Sequence, residues 1–128
     1  MATKGKILKA TVAVLPGDAA GIEVTAQASR VLDAVAKRLG QAMQIEAGLY
    51  GGLAIDACGT PLPPETRALA LRADALLLGG GAAGKRWEDP HLTVHPAQAT
   101  LELRRALKLF ANLRPVRIYG ELAGLSTL

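Results

Sequence analysis

The sequence predicts an α/β fold built from parallel βαβ units, with about four strands and helices on the faces of the sheet. One observation is the alternation of short apolar segments with longer segments of helical periodicity, which is typical of a parallel sheet with helical crossovers. The other is composition: 50% of the residues are hydrophobic but only 3% are aromatic, as in helices packed on a sheet. The 128 residues have the length of one compact domain, so a single domain over residues 1–128 is expected.

The first strand and helix are predicted between Ile7 and Gly40. Ile7–Leu15 is apolar and rich in β-branched residues and ends at a Pro-Gly turn, which indicates a buried strand; Asp18 is then placed to cap the following helix. That helix is predicted over Ala20–Leu39, with Gly40 as its stop signal. Its buried face is expected to consist of Ala28, Val31, Leu32, Val35 and Leu39.

The later elements continue the alternation. Period-two patterns predict strands, and glycine and proline clusters mark the boundaries, with a proline in the favoured first turn of one helix. The elements expected, in order, are a strand over 43–49, a short helix between 52 and 59, a helix over 64–72, a strand over 73–78, a helix over 97–109 and a strand over 113–119.

Charge and cysteine content limit the classes of function. The net charge is +4 and the pI is near 9.6, but lysines and arginines are scattered in pairs without interleaved aromatic residues, so a solvated surface is favoured over a nucleic-acid site. No apolar segment is long enough to cross a membrane, and no signal peptide is recognised. The single cysteine, Cys58, is expected to be structural, and a reducing cytoplasm is the expected location.

A glycine run follows the third predicted strand. Gly79–Gly84 matches a G-x-G-x-x-G pattern, but the chain reaches Pro90 soon afterwards instead of opening a helix, and Arg86 stands where a phosphate-binding loop has Ser or Thr. The run is therefore interpreted as a loop at the carboxyl edge of the sheet that is compatible with ligand contact. His91 and His95 lack a third ligand in register, so they are expected to be exposed loop residues and no metal site is predicted.

Two arginines are candidates for binding an anion. Arg104 lies on the last predicted helix and Arg114 at the start of the last predicted strand. Two converging guanidinium groups would suit a dicarboxylate. On spacing alone, however, surface ion pairs are favoured.

Several motifs resemble the isopropylmalate dehydrogenase family, which also includes isocitrate, tartrate and homoisocitrate dehydrogenases. The motifs are Leu15-Pro16-Gly17-Asp18, Gly52-Leu53-Ala54-Ile55-Asp56, Gly59-Thr60-Pro61-Leu62-Pro63, Leu76-Leu77-Leu78-Gly79 and Leu109-Phe110-Ala111-Asn112-Leu113-Arg114-Pro115-Val116. The resemblance covers residues from about 10 to 128. It implies oxidation of a 2-hydroxy acid with NAD or NADP and Mg or Mn, followed by decarboxylation.

The resemblance also assigns roles to residues. It implies that Arg104 and Arg114 hold the malate carboxylate of a substrate, and that the cofactor is met by Ala20, Gly81, Gly84 and Lys85. Three positions depart from the family pattern. Ala20 shortens the residue beside the nicotinamide, one residue is inserted within 82–87, and Ala97 replaces a glutamate.

The catalytic tyrosine and lysine and the metal-binding aspartates of the family lie beyond the matching region, so no catalytic residue is assigned. The prediction is a short isopropylmalate-dehydrogenase-like protein without catalysis or bound cofactor of its own, a pseudoenzyme that acts as a binding or assembly (regulatory) subunit. Its expected partners are further copies, a full-length relative and a small dicarboxylate, with no nucleic acid and no membrane. The alternative is the amino-terminal fragment of an NAD-dependent 3-isopropylmalate or tartrate-type dehydrogenase, the former an enzyme of leucine biosynthesis.

Overall fold

The computed structural model of the chain describes residues 9–80 and 85–125 and confirms the α/β class. Strands and helices alternate along it. In order, the elements are β1 (Lys9–Leu15), α1 (Ala20–Arg38), β2 (Ala42–Ala47), α2 (Gly52–Cys58), α3 (Pro64–Arg72), β3 (Ala75–Leu78), a 3₁₀ helix (Lys85–Glu88), α4 (Ala97–Ala106) and a second 3₁₀ helix (Gly120–Leu125).

The sheet has the strand order β2-β1-β3, and both pairings are parallel. In the central strand, Val12 is paired with Ile45 on one side and with Ala75 on the other. Four consecutive residues of β1, Val12 to Leu15, are buried, as expected of a parallel strand covered on both faces. β1 is therefore the element around which the described part of the chain is organised.

The hydrophobic core lies at the carboxyl end of β1, where side chains of β1, α3 and α4 pack together. Its buried cluster consists of Leu15, Tyr50, Leu62, Ala70, Ala99 and Leu103. The Tyr50 hydroxyl forms a hydrogen bond with the Thr100 hydroxyl, so the polar end of this buried ring is satisfied. This contact links the loop after β2 to α4.

Helix α1 rests on the sheet through a face that only partly matches the predicted one, since Ala28 and Leu32 are half-buried. Its buried residues are Gly21, Thr25 and Ala36, whereas the predicted core residues Val31, Val35 and Leu39 are exposed. Small side chains allow the helix backbone to approach the strands, and a sheet of three strands covers only part of the apolar arc. The uncovered part, here named the α1 stripe, comprises Val24, Val31, Val35 and Leu39.

The predicted fourth strand is wrong. Within the described residues the sheet has three strands, and residues 110–119, here named the tail, form no helix or strand and are exposed throughout. Phe110 is 101% exposed and Leu113 is 88% exposed. A strand pattern needs an adjacent edge to complete its hydrogen bonds, and the tail does not lie against one.

Helix α4 ends three residues before the predicted end, at Ala106. Lys108 adopts a positive φ of 53°, and the Leu109 amide donates to the Arg104 carbonyl at 3.0 Å. These are the features of a Schellman motif, in which a left-handed residue closes the last turn. The motif turns the chain out of the helix and into the tail.

Candidate functional site

The candidate site lies at the carboxyl edge of the sheet, where the loops after β1 and β3 meet. The connection from β1 leads to β2, and the chain then crosses back to β3 on the other side of β1. Ligands of such sheets bind at the point where the strand order reverses. Here the Asp18 amide donates to the Gly80 carbonyl at 2.8 Å, so the two loops are joined directly across this point.

Two glycines make this close approach possible. A Cβ at Gly79 would lie 1.9 Å from the Pro16 carbonyl oxygen, and a Cβ at Gly21 would lie 2.5 Å from the same atom. Either distance is far shorter than a van der Waals contact, so a side chain at either position would clash with the Pro16 carbonyl. The sequence indicated a ligand loop from the glycine run, whereas in the described part of that run Gly79 and Gly80 serve backbone packing.

Asp18 caps a different helix from the one predicted. Its buried carboxylate accepts hydrogen bonds from the amides of Gly52 at 2.8 Å and Leu53 at 2.7 Å, which are orphan donors at the start of α2. The N-cap of α1 is instead Ala19, with φ 47°, ψ −125° and no side-chain hydrogen bond. These two hydrogen bonds therefore connect the loop after β1 to the start of α2.

Arg86 and Trp87 lie beside α2, the helix whose first amides donate to Asp18. Arg86 donates to the Asp56 carboxylate at 2.5 Å and lies 4.2 Å from the centre of the Trp87 ring. The hydrogen bond that Arg86 donates to Asp56 raises the pKa of Arg86; desolvation lowers it, and the charges of Asp56 and Asp18 raise it further. Sequence reasoning missed this cluster, because Asp56 and Arg86 are far apart in the chain and no spacing rule connects them.

Of the four predicted cofactor residues, only Ala20 has its side chain within the part of the chain that the structure describes. Ala20 is exposed in the first turn of α1. Lys85 begins a 3₁₀ helix, but its side chain, like Gly81 and Gly84, lies outside the described residues. The described residues therefore do not by themselves assemble the predicted cofactor site.

A divalent metal does not fit the described residues either. Within 9–80 and 85–125, no three or more His, Cys, Asp or Glu residues are grouped as metal ligands. His91 is exposed, as predicted, and His95 is half-buried. Cys58 is free and exposed at the end of α2, where its thiol donates to the Ala54 carbonyl at 3.0 Å.

The two predicted anion-binding arginines lie around the start of the tail. Arg104 is exposed in the last turn of α4 and lines a cavity of about 460 Å³ together with Leu109 to Leu113. Arg114, the next residue, is also exposed. Among the residues that the structure describes, neither guanidinium group forms an ion pair or hydrogen bond, so the surface ion pairing favoured by spacing alone is not found there.

The described helices do not meet the requirements of a membrane-spanning helix. None of them is both long enough and apolar enough to span a bilayer.

Comparison with known proteins places these features in a family. Residues 11–128 match the model of the family described as isocitrate/isopropylmalate dehydrogenase. The 3-isopropylmalate dehydrogenase of Anaeromyxobacter dehalogenans is 50% identical over 121 residues, which are 94% of this chain and 34% of that protein. The enzyme of the same name from Geobacillus kaustophilus is 50% identical over 119 residues, which are 91% of this chain and 31% of that protein.

The chain is also similar to a solved dehydrogenase structure. The apo β-decarboxylating dehydrogenase of Thermococcus kodakarensis aligns with a TM-score of 0.59 and 32% identity over 79% of this chain and 27% of that one. The chain therefore spans about a third of the length of the curated relatives it matches.

Proposed function

Because the chain belongs to the isocitrate/isopropylmalate dehydrogenase family, we propose that it supplies the substrate-anion-binding part of a dehydrogenase site, with Arg104 and Arg114 as the cations. The observation that carries the proposal is the position of these two exposed guanidinium groups, one lining the cavity at the start of the tail and the other directly following its lining. A guanidinium binds a carboxylate through two parallel hydrogen bonds. Neither group must first break an ion pair within the described residues.

The proposed ligand is a small 2-hydroxy dicarboxylic acid of the 3-isopropylmalate type. The names of the relatives support this class, and two cations suit a dianion. NAD and a divalent cation would supply hydride acceptance and charge neutralisation in such an enzyme. We assign no residue of this chain to either group, and the role proposed here is to bind and orient the acid.

A second candidate function is that of a binding or assembly subunit without catalysis of its own. It is supported by the exposed apolar residues of the α1 stripe and the tail, which are surfaces suited to a protein partner. In the first candidate, other parts of a longer dehydrogenase supply the acid, base and metal ligands. In the second, a separate full-length relative or another copy supplies the contacts.

Calorimetric titration of the chain with 3-isopropylmalate and with malate tests the arginine site. We expect Arg104→Ala and Arg114→Ala each to weaken binding by about 30-fold, the equivalent of ~2 kcal/mol for loss of one charged partner. Arg105→Ala is the matched control, because Arg105 is an exposed neighbour on the same turn but does not line the cavity. Unchanged affinity in Arg114→Ala would remove Arg114 from the site.

An activity measurement tests whether the chain holds a complete dehydrogenase site by itself. The purified chain is incubated with these acids, either nicotinamide cofactor, and Mg²⁺ or Mn²⁺, and reduced cofactor is followed by absorbance. Both candidates predict no signal from the chain alone, because neither assigns the acid, the base or the metal ligands to this chain. Steady formation of reduced cofactor that is lost in Arg104→Ala would instead establish a dehydrogenase site within this chain.

A further inference from the structure

Helix α2 is contacted at two points by other parts of the chain. At its start, the Asp18 carboxylate accepts hydrogen bonds from the amides of Gly52 and Leu53. One turn later, the Asp56 carboxylate accepts from the Arg86 guanidinium at 2.5 Å. Asp18 lies in the loop after β1 and Arg86 follows the glycine run after β3. Helix α2 therefore joins the two connections that meet at the carboxyl edge of the sheet.

The Trp87 ring covers the first of these two contacts. A Cβ at Gly52 would lie 2.7 Å from Cζ2 of the ring and 2.6 Å from Oδ2 of Asp18, so Gly52 lies against both the ring and the carboxylate. Trp87 is 9% exposed and Asp18 is 6% exposed. The ring therefore helps to exclude water from the hydrogen bond between Asp18 and Gly52.

The segment that carries this ring is held on α2 by side chains. Arg86 lies over the Trp87 ring, 4.2 Å from its centre, while donating to Asp56. Within the described residues, no backbone hydrogen bond joins residues 86–88 to another element. These three residues, here named the strap, rest on α2 through the ion pair and the ring contact. Breaking the ion pair therefore weakens the hold of α2 on the ring as well.

The ion pair is accessible to solutes. The side chains of Arg86 and Asp56 are 58% and 47% exposed, and exposed ion pairs are weak and are screened by salt. A guanidinium has five N–H donors in a planar fork, and it binds a carboxylate best through two parallel hydrogen bonds. A carboxylate from solution therefore competes with Asp56 for Arg86, and does so more effectively than a simple halide ion.

We propose that the strap is an anion-sensitive cover at the carboxyl edge of the sheet. When a small carboxylate takes Arg86 from Asp56, Trp87 leaves Gly52, and the start of α2 with the Asp18 carboxylate opens to solvent. Sheets of this kind bind ligands at this edge, so an anionic ligand arriving there releases the cover itself. The inference does not depend on the proposed substrate arginines of α4 and the tail, which take no part in it.

Trypsin cleavage after Arg86, with the fragments identified by mass, measures release of the strap from α2. When cleavage is slower than closing, its rate follows the population of the open form. Asp56→Asn removes the charge of the partner and keeps Arg86 as the cleavage site, so the rate should rise by roughly two- to five-fold, as expected for an exposed ion pair. Asp56→Glu keeps the charge and should restore most of the protection.

The matched control is Asp33→Asn, which removes the acidic partner of another exposed ion pair, that of Lys37 on α1. It should leave the rate of cleavage after Arg86 unchanged. Equal acceleration by Asp56→Asn and Asp33→Asn would show a general loosening of the chain and would overturn the proposal.

Sodium malonate distinguishes competition by a carboxylate from screening by salt. Each rate is divided by the rate on a short reference peptide in the same buffer. At equal ionic strength, malonate should accelerate cleavage after Arg86 more than sodium chloride does, and this difference should vanish in Asp56→Asn. Trp87 is the one tryptophan of the chain, so acrylamide quenching of its fluorescence should rise under the same conditions. Equal responses to malonate and chloride, or unchanged cleavage and quenching in Asp56→Asn, would each refute the anion-sensitive cover.

Discussion

Replacing Ala19 by glycine should stabilise the protein, although the change removes a side chain. Ala19 has φ 47° and ψ −125°, a combination outside the regions that residues with a Cβ normally occupy. Holding such a residue there costs about 1–3 kcal/mol. Glycine removes this cost but adds about 0.4–1 kcal/mol of entropy to the unfolded chain.

The balance favours the Ala19→Gly variant by about 1 kcal/mol. Little packing is lost, because Ala19 is exposed. For a chain of 128 residues this corresponds to a rise in Tm of about 3–5 °C. Urea unfolding followed by circular dichroism gives the free energy, and a thermal scan gives Tm.

The control for this prediction is the adjacent Ala20→Gly variant. Ala20 is also exposed but lies in the first turn of α1, where glycine should cost about 0.5–1 kcal/mol. The two neighbouring changes are thus expected to have opposite signs. Equal destabilisation by both would refute the strain at Ala19 and, with it, the geometry of the turn after β1.

Three further changes test the packing of the loops and the end of α4. Gly79→Ala should destabilise the protein by more than about 3 kcal/mol in urea unfolding, since its Cβ would overlap the Pro16 carbonyl, whereas Gly120→Ala, with no atom within 4 Å, should change little. Asp18→Asn should cost about 1–3 kcal/mol by the same assay, because one amide oxygen replaces two carboxylate acceptors for the α2 amides; an unchanged midpoint would mean that this cap contributes nothing. Lys108→Gly should raise the unfolding free energy by roughly 0.5 kcal/mol, because glycine suits the left-handed position that Lys108 occupies; a lower Tm would contradict the assigned helix end.

The order of elements was predictable because periodicity and helix breakers are local properties of the chain. Gly40 and the proline at the start of α3 marked boundaries that the structure confirms to within a few residues. Strand pairing is not a local property, because it depends on residues that are distant in the sequence. Residues 113–119 have the pattern of a strand, but the pattern does not specify a neighbouring edge, and the predicted fourth strand is absent from the described sheet.

Side-chain contacts were predicted less well than the elements. Periodicity identified the apolar arc of α1, but the small residues Gly21 and Ala36 determine how the helix sits, because they allow closer approach to the strands. Asp18 was predicted to cap α1, but the N-cap of α1 is Ala19 and the Asp18 carboxylate accepts from the start of α2 instead. The roles of Arg104 and Arg114 came from family resemblance, and their binding role is still a prediction.

The central position of β1 has a consequence for synthesis on the ribosome. At its amino end, the Thr11 amide donates to the carboxylate of Asp74, 63 residues later in the chain, and the Asp74 amide donates back to the Thr11 carbonyl. At 5–20 residues per second, translation reaches that partner roughly 3–13 s after β1 has been made. During this interval one edge of an apolar strand has no native neighbour, so chaperone binding to the nascent chain should be strongest before β3 emerges.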